Sequence, residues 1–249
     1  MQRFQNKVVV VTGAAQGIGK AVALRFGAEG AKVAAADLGP GVDGTVAEIN
    51  AAGGTATAYR VDVTDFAAVE AMVNAAHGAF GGLDVVCNVA GIGHFAKSEE
   101  ETSEWFQRII AVNLTGSFHV ARAALPHFLA AGHGTIINTA SNSGLMGQAW
   151  SAAYCASKGG VVMLTKALAS EYLDKNIRVN AVAPGGTKTA IQDSFGLPDG
   201  VDGRKLAKIM SPVEMAEPAE MANLFAWIAS DEARFMTGSI VVMDGGLTA

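Results

Sequence analysis

The chain is poor in cysteine, in cationic residues and in long apolar runs, and each shortage removes a class of protein. Its two cysteines, Cys87 and Cys155, are too few for a disulfide framework and show no metal-ligand spacing. Both are expected as reduced thiols. The five histidines are scattered without a pair at helical ligand spacing, so no metal is expected. Eighteen Lys and Arg against 23 Asp and Glu leave a net charge of −5. Without a basic cluster or a basic-aromatic interleaving to follow a phosphate backbone, nucleic acid is not an expected partner. The apolar run near the N-terminus is only Val8 to Val11, shorter than the core of a secretory signal, and no stretch approaches the length of a membrane span. A membrane is not an expected partner, and the cytoplasm is the expected location.

What the chain has in quantity is apolar residues, 50% of its 249, ample for one large α/β core. Lys7 to Val11 reads as a buried strand, because a short β-branched run stopped by glycine suits the centre of a parallel sheet. A helix is expected over 17–29, a second strand over 31–36 ending at Asp37, a helix over 42–52 stopped by Gly53-Gly54, and a third strand over 55–60. The alternation continues with a helix at 65–79, a strand at 83–88, and a helical region over 100–131 that Pro126 is expected to bend or shorten. A strand at 134–140, a helix at 152–173, a strand at 177–183, a helix at 218–230 and a strand at 239–243 complete the series. Residues 186–215 lack periodicity and read as a loop-rich substrate lid with one short helix at 203–210. Strand and helix alternate from end to end, without a compositional break or internal repeat. The expectation is a single domain, 1–249, with one doubly wound parallel sheet of the Rossmann type, about seven strands covered by helices on both faces.

Two motifs sit where such a sheet binds ligands. Thr12-Gly13-Ala-Ala-Gln16-Gly17-Ile18-Gly19 falls between the first strand and the first helix. Glycine permits approaches that a Cβ would block, so a pyrophosphate can lie against the helix N-terminus, where free amides and the helix dipole favour negative charge. The spacing is Gly-x-x-x-Gly-x-Gly, unlike the commoner Gly-x-Gly-x-x-Gly. Asp37, ending the second strand, is placed to accept hydrogen bonds from the ribose of an adenine dinucleotide, and its carboxylate would repel a 2′-phosphate. Neither Gln16 nor Leu38 supplies a compensating cation, so NAD is expected over NADP.

The second motif is Tyr154-Cys-Ala-Ser-Lys158. Residues i and i+4 share a helix face, which brings the Lys158 ammonium toward the Tyr154 phenol. A free phenol has a pKa of roughly 10, and a neighbouring cation is expected to lower it and favour the phenolate. Tyr154 would then serve as general base or acid. Ser141, where the preceding strand ends, is placed to hold a hydroxyl or carbonyl oxygen beside that phenol. Taken alone, such a Tyr-Lys pair is common on solvated helix faces.

The motifs together resemble the short-chain dehydrogenase/reductase family in its compact single-domain branch, over nearly the whole chain. The glycine turn, Asp62-Val63-Thr64, Asn88-Val89-Ala90-Gly91, Asn113, Ser141, Tyr154, Lys158 and Pro184-Gly185 follow the family's order and spacing. The resemblance implies that Ser141 positions the substrate oxygen and Tyr154 transfers the proton. It implies that Lys158 lowers the phenol's pKa and holds the nicotinamide ribose, and that Asn113 maintains a water link from Lys158 to solvent. It further implies that Gly13, Gln16, Gly17, Ile18, Gly19 and Asp37 hold the pyrophosphate and ribose, and that Asp62 and Val63 contact adenine. Asn88, Ala90 and Gly91 would line the middle of the cofactor, and Pro184, Gly185, Thr187 and Thr189 would face the nicotinamide amide. Val89 stands where the family usually has a second asparagine.

The reaction these residues suggest is oxidation of a secondary alcohol to a ketone, and its reverse. His94 and Phe95, Leu145, Met146, Gln148 and Trp150, and the 186–215 segment are expected around the substrate, a medium-sized and partly hydrophobic alcohol or ketone. The other readings are a silent nucleotide-sensing protein on the same fold, an NADPH-dependent 3-oxoacyl-type reductase, and a sugar-nucleotide epimerase. The last is disfavoured by the glycine spacing and by the want of a long C-terminal substrate domain. By resemblance, a homotetramer or homodimer is expected.

Overall fold

A computed structural model describes residues 2–210 and 213–249. In chain order its regular elements are β1 (Val8–Thr12), α1 (Gly17–Ala28), β2 (Lys32–Asp37), α2 (Gly41–Ala51), β3 (Thr55–Arg60), α3 (Phe66–Phe80) and β4 (Val85–Asn88). Then come α4 (Ser103–Ile110), α5 (Gly116–Ala131), β5 (Gly134–Thr139), α6 (Ala152–Glu171), β6 (Ile177–Pro184), α7 (Pro218–Ala229) and β7 (Ile240–Met243). The strands form one seven-stranded sheet in the order β3-β2-β1-β4-β5-β6-β7, with every pairing parallel. The order reverses between β1 and β4, so the chain leaves the two strands in opposite directions and a crevice opens beyond their C-terminal ends.

Side-chain alternation explains why Val8 to Val11 of β1 are all apolar. Val9 and Val11 face one layer with Phe26 of α1 and Phe225 of α7. Val8 and Val10 face the other, with Val73 of α3 and Phe128 of α5. Both faces of this run are dry, and Thr12, the one polar residue of β1, comes where the strand ends. Element ends carry local signals. Asp65 caps α3 by accepting from the Ala68 amide at 3.2 Å, and Thr102 does the same for α4 through the Trp105 amide at 3.2 Å.

Two expectations change. The stretch expected to be helical over 100–131 is α4 and α5 joined by a single π-helical turn at Ala111–Thr115, whereas α5 continues through Pro126 to Ala131. Proline costs an interior hydrogen bond, but Leu125 and Phe128 on either side of it are buried, and that packing carries the helix past the gap. The 186–215 segment holds two 3₁₀ turns, Ala190–Ser194 and Gly203–Ile209, in place of one helix at 203–210. Its ends are pinned together, with Ala216 N donating to Gly186 O at 3.0 Å and Lys188 N to Ala216 O at 2.9 Å. Residues 211 and 212 lie outside the described residues. No helix is long and apolar enough to cross a membrane among the residues described.

The turn from β1 into α1 is packed backbone on backbone. A Cβ on Gly19 would overlap the Gly13 carbonyl oxygen, with no flexible side chain to yield. Gly19→Ala is therefore expected to cost about 2 kcal/mol or more, read as a lower midpoint in urea unfolding at unchanged slope.

Candidate functional site

A cleft of about 820 Å³ occupies the crevice at the C-terminal ends of the strands, near the upper end of the size range of small-molecule and cofactor sites. Gly13, Gln16, Gly17, Ile18 and Gly19 line one end. Gly13 has a φ of +69°, and a Cβ there would stand 2.8 Å from the Ala90 amide nitrogen, so glycine is required both for the turn and for the closeness of β4. The Thr12 hydroxyl accepts from the Val89 and Ala90 amides at 3.1 and 3.2 Å, tying the first turn to the fourth strand. Gln16, at the head of α1, makes no side-chain cap bond. The first-turn amides are therefore unclaimed by a cap, as an anion site needs.

Asp37 lies at the end of β2 with both carboxylate oxygens held, one by Ala15 N at 2.9 Å and the other by Gly39 N at 2.8 Å. The carboxylate is thus rigid, with lone pairs left over for a diol. Asp62 accepts from the Thr64 amide and hydroxyl at 2.9 and 2.8 Å. Val63 is buried, and Gly116 leaves it room, since a Cβ there would meet the Val63 side chain at 2.6 Å. Ala90, Gly91, Pro184, Gly185, Thr187 and Thr189 all reach the same cleft.

Asn88 does not. Its Nδ2 donates to Ser117 O at 3.2 Å and to Asn138 Oδ1 at 2.9 Å, and its carbonyl accepts from the Thr139 hydroxyl at 2.7 Å. The residue is turned into the sheet as a cross-strand brace, and Val89 lines the cleft instead. The cause is strand alternation: the position that ends β4 on the inner side faces β5 and α5. Asn88 Oδ1 is one of two buried side-chain polar atoms without a hydrogen-bond partner among the described residues.

Ser141, Tyr154 and Lys158 converge in the cleft. Ser141 Oγ accepts from Ser143 N at 3.1 Å and lies 3.0 Å from Asn142 Oδ1. It also bonds the Tyr154 phenol, favouring the ionised form. Lys158 is buried, with its ammonium donating to the Thr139 carbonyl at 2.7 Å and lying 5.7 Å from the centre of the Tyr154 ring. Burial drives its pKa down to about 8. Burial likewise pushes the phenol up to about 12, and the Ser141 bond offsets only part of that rise. The expected lowering of the phenol's pKa by Lys158 is therefore not a property of the polypeptide alone. Withdrawal of both charged forms from water outweighs their attraction. Asn113, in the π-helical turn, is buried; its side chain accepts from Ile92 N at 2.8 Å and donates to Ile92 O at 2.9 Å and Ser157 Oγ at 3.0 Å. It thereby clamps the loop after β4 onto α6.

Of the residues expected around the substrate, Phe95 and Gln148 line the cleft, and His94, Leu145, Met146 and Trp150 do not. His94 pairs with Glu101 at 2.9 Å and packs edge-on against Trp105. Trp150 turns its carbonyl toward the Ala96 amide at 2.8 Å. Phe195, which carried no signal in an aperiodic segment, meets the Tyr154 ring edge-on at 5.3 Å. Among the described residues no group of three His, Cys, Asp or Glu is arranged to hold a metal ion.

Comparison with known proteins decides what this assembly belongs to. The family described as enoyl-(acyl carrier protein) reductase matches residues 13–248. A short-chain type dehydrogenase/reductase from Mycobacterium marinum superposes with a TM-score of 0.91 at 37% identity, covering 99% of this chain and 97% of that one. The chain is a short-chain dehydrogenase/reductase. It is 42% identical over 245 residues to 2,5-dichloro-2,5-cyclohexadiene-1,4-diol dehydrogenase of Sphingobium indicum, spanning 98% of this chain and 97% of the relative. It is 43% identical over 250 residues to meso-2,3-butanediol dehydrogenase of Serratia marcescens, spanning 99% and 96%. Dehydrogenases of this family use a nicotinamide cofactor, and the glycine turn, the uncapped head of α1 and the rigid Asp37 fit one.

The buried lysine makes stability depend on pH in a defined direction. Its folded pKa lies below the value of roughly 10.4 for a free side chain. Between pH 8 and 10.5 the unfolded chain therefore holds a proton that the folded chain has released, and wild-type stability gains with rising pH. The melting temperature of Lys158→Met minus that of wild type is expected to fall across that window. A flat difference would show that the ammonium is not desolvated.

Proposed function

We propose that this short-chain dehydrogenase/reductase interconverts a secondary alcohol and a ketone, with NAD as redox partner and Tyr154 as the group that takes or gives the proton. The observation that carries the reading is the meeting of Ser141, Tyr154 and a buried Lys158 in one cleft with the glycine turn and Asp37. Both named relatives are dehydrogenases of secondary alcohols. The family description names reduction of a double bond in an acyl chain, but a serine hydroxyl beside a phenol addresses an oxygen atom, so the reading follows the relatives.

In oxidation, Ser141 holds the substrate hydroxyl and Tyr154 accepts its proton as the carbinol carbon gives up hydride. When bound, oxidised nicotinamide would supply the hydride acceptor, and its positive charge would favour the phenolate. A phenol held near 12 by burial needs such help to ionise at neutral pH, and the Lys158 ammonium adds to it across the ring. Lys158 also holds the nicotinamide ribose. Asn113 positions the Ile92 loop and keeps a water link from Lys158 to solvent. Gly13, Gln16, Gly17, Ile18 and Gly19 receive the pyrophosphate, Asp37 the adenosine ribose, Asp62 and Val63 the adenine, and Ala90 and Gly91 the middle of the cofactor. Pro184, Gly185, Thr187 and Thr189 face the carboxamide. Residues 186–215 serve as the substrate lid. Holding alcohol, phenol and acceptor in contact supplies most of the rate.

Asp37 favours NAD, since its carboxylate is pinned by two amides and cannot swing away from a 2′-phosphate. Leu38 beside it is exposed and uncharged. A cytoplasmic location, read from the shortness of the apolar runs, and a homotetramer or homodimer, implied by the family resemblance, belong to the same proposal.

Tyr154→Phe is expected to reduce turnover by at least about 100-fold, the lower range for a general base, while the NADH dissociation constant from fluorescence titration changes little. Near-normal turnover would remove Tyr154 from the mechanism. Asp37→Ser combined with Leu38→Arg is expected to raise kcat/KM with NADP relative to NAD by about tenfold, ~1.4 kcal/mol. A wild-type chain that already prefers NADP would overturn the assignment of Asp37.

A further inference from the structure

Beyond the proton-transfer group, the cleft contains a second constellation, built from the lid and the loop after β4. Phe195 stands edge-on to the Tyr154 ring at 5.3 Å and to Phe95 at 4.9 Å. Gly93 lies between the first two rings. A Cβ there would sit 2.5 Å from Phe195 Cζ and 2.7 Å from Tyr154 Cδ2, so glycine at this position is what lets the lid aromatic reach the phenol. Ser194, one residue earlier, has its hydroxyl 2.6 Å from the Gly93 carbonyl and 2.6 Å from the Ile191 carbonyl. A hydroxyl has one proton to donate, so those two acceptors compete. The bond to Gly93 is a latch that can be released at small cost, because the proton has an alternative partner within its own 3₁₀ turn.

We propose that Phe195, latched over Gly93 by Ser194, sets the substrate selectivity of this cleft in favour of an uncharged alicyclic secondary alcohol over a short polyol. The inference rests on the alcohol-oxidising reading above. The ring carbons of an alicyclic substrate pack against the Phe95–Phe195 corner while the carbinol reaches Ser141 and Tyr154. The lid also brings Ile191, Leu206 and Met215 to the cleft, with Thr187, Thr189 and Gln192 as its polar lining. The polar pair nearby, Ser143 and Gln148, is bonded to itself at 2.5 Å. A second hydroxyl placed against the Phe95–Phe195 corner would face aromatic carbon with its hydrogen bonds unmet. Apolar pockets discriminate by contact alone only to a limited degree, roughly 10- to 200-fold, which sets the scale of the effect.

The test compares kcat/KM for cyclohexanol and for 2,3-butanediol, with NADH affinity followed separately by fluorescence, in wild type, Phe195→Ala, Phe195→Leu and Ser194→Ala. Wild type is expected to favour cyclohexanol. Phe195→Ala should lower the cyclohexanol-to-butanediol ratio by about tenfold, the low end of that range, at unchanged NADH affinity. Phe195→Leu, which keeps apolar volume without the ring, should fall between. Ser194→Ala should raise KM for cyclohexanol with kcat retained. A ratio that stays within about twofold of wild type in the Phe195 variants, or a wild type that favours the diol, would overturn the assignment of Phe195 and leave the alcohol reading standing. A wild type that binds NADH and oxidises neither alcohol would overturn that reading, and this inference with it.

Discussion

The hydrogen bond from the Lys158 ammonium to the Thr139 carbonyl, 2.7 Å long, holds the head of α6 against the end of β5. An ammonium is costly to bury without an oxygen close by, so the lysine can occupy this position only where a strand end offers its carbonyl. The loop between the two elements must then lie directly on the helix. Gly144 makes that possible, because a Cβ there would stand 2.7 Å from the Lys158 backbone carbonyl. Ser141, which opens this loop, and Tyr154, one turn before the lysine, are thereby brought to one wall of the cleft. The proton-transfer group is thus assembled by the constraint of placing one charge out of water.

Opposite that wall, the cleft depends on how closely backbones approach. The Thr12 hydroxyl ties β1 to the amides that follow β4, and Gly13 and Gly19 remove the Cβ atoms that would hold these segments apart. Behind them an amide chain crosses the sheet, from Asn88 to Asn138 to Thr165. Buried and bonded in series, these side chains set the register of β4, β5 and α6 without exposing anything to the ligand. Asn88 is part of the scaffold that holds the cleft open, and the residues in contact with the cleft are its neighbours.

The two halves differ in how they respond to a bound substrate. The glycine turn, Asp37 and the Asn113 clamp are each held by several backbone hydrogen bonds, as a site that must be ready in advance requires. The lid carries two short 3₁₀ turns and meets the loop after β4 through Ser194 and one aromatic corner. A wall with few and exchangeable contacts can yield to a ligand at low cost.

Much of this was legible in the residues before any coordinates. Continuous β-branched runs and their alternation with helical stretches specified a parallel sheet, since burial on both faces favours apolar residues at successive positions. The glycine spacing, the acidic end of β2 and the i, i+4 pairing of Tyr154 and Lys158 are local patterns, readable because they depend on neighbours a few residues away. The tertiary structure alone decided four things: that Asn88 turns inward, that α5 runs through Pro126 while the irregular turn falls at 111–115, that Phe195 reaches the phenol across Gly93, and that burial raises the phenol's pKa despite the adjacent cation. Each depends on a sum over surroundings distant in the chain, of packing in the first three cases and of lost hydration in the last, and no short window of sequence contains that sum.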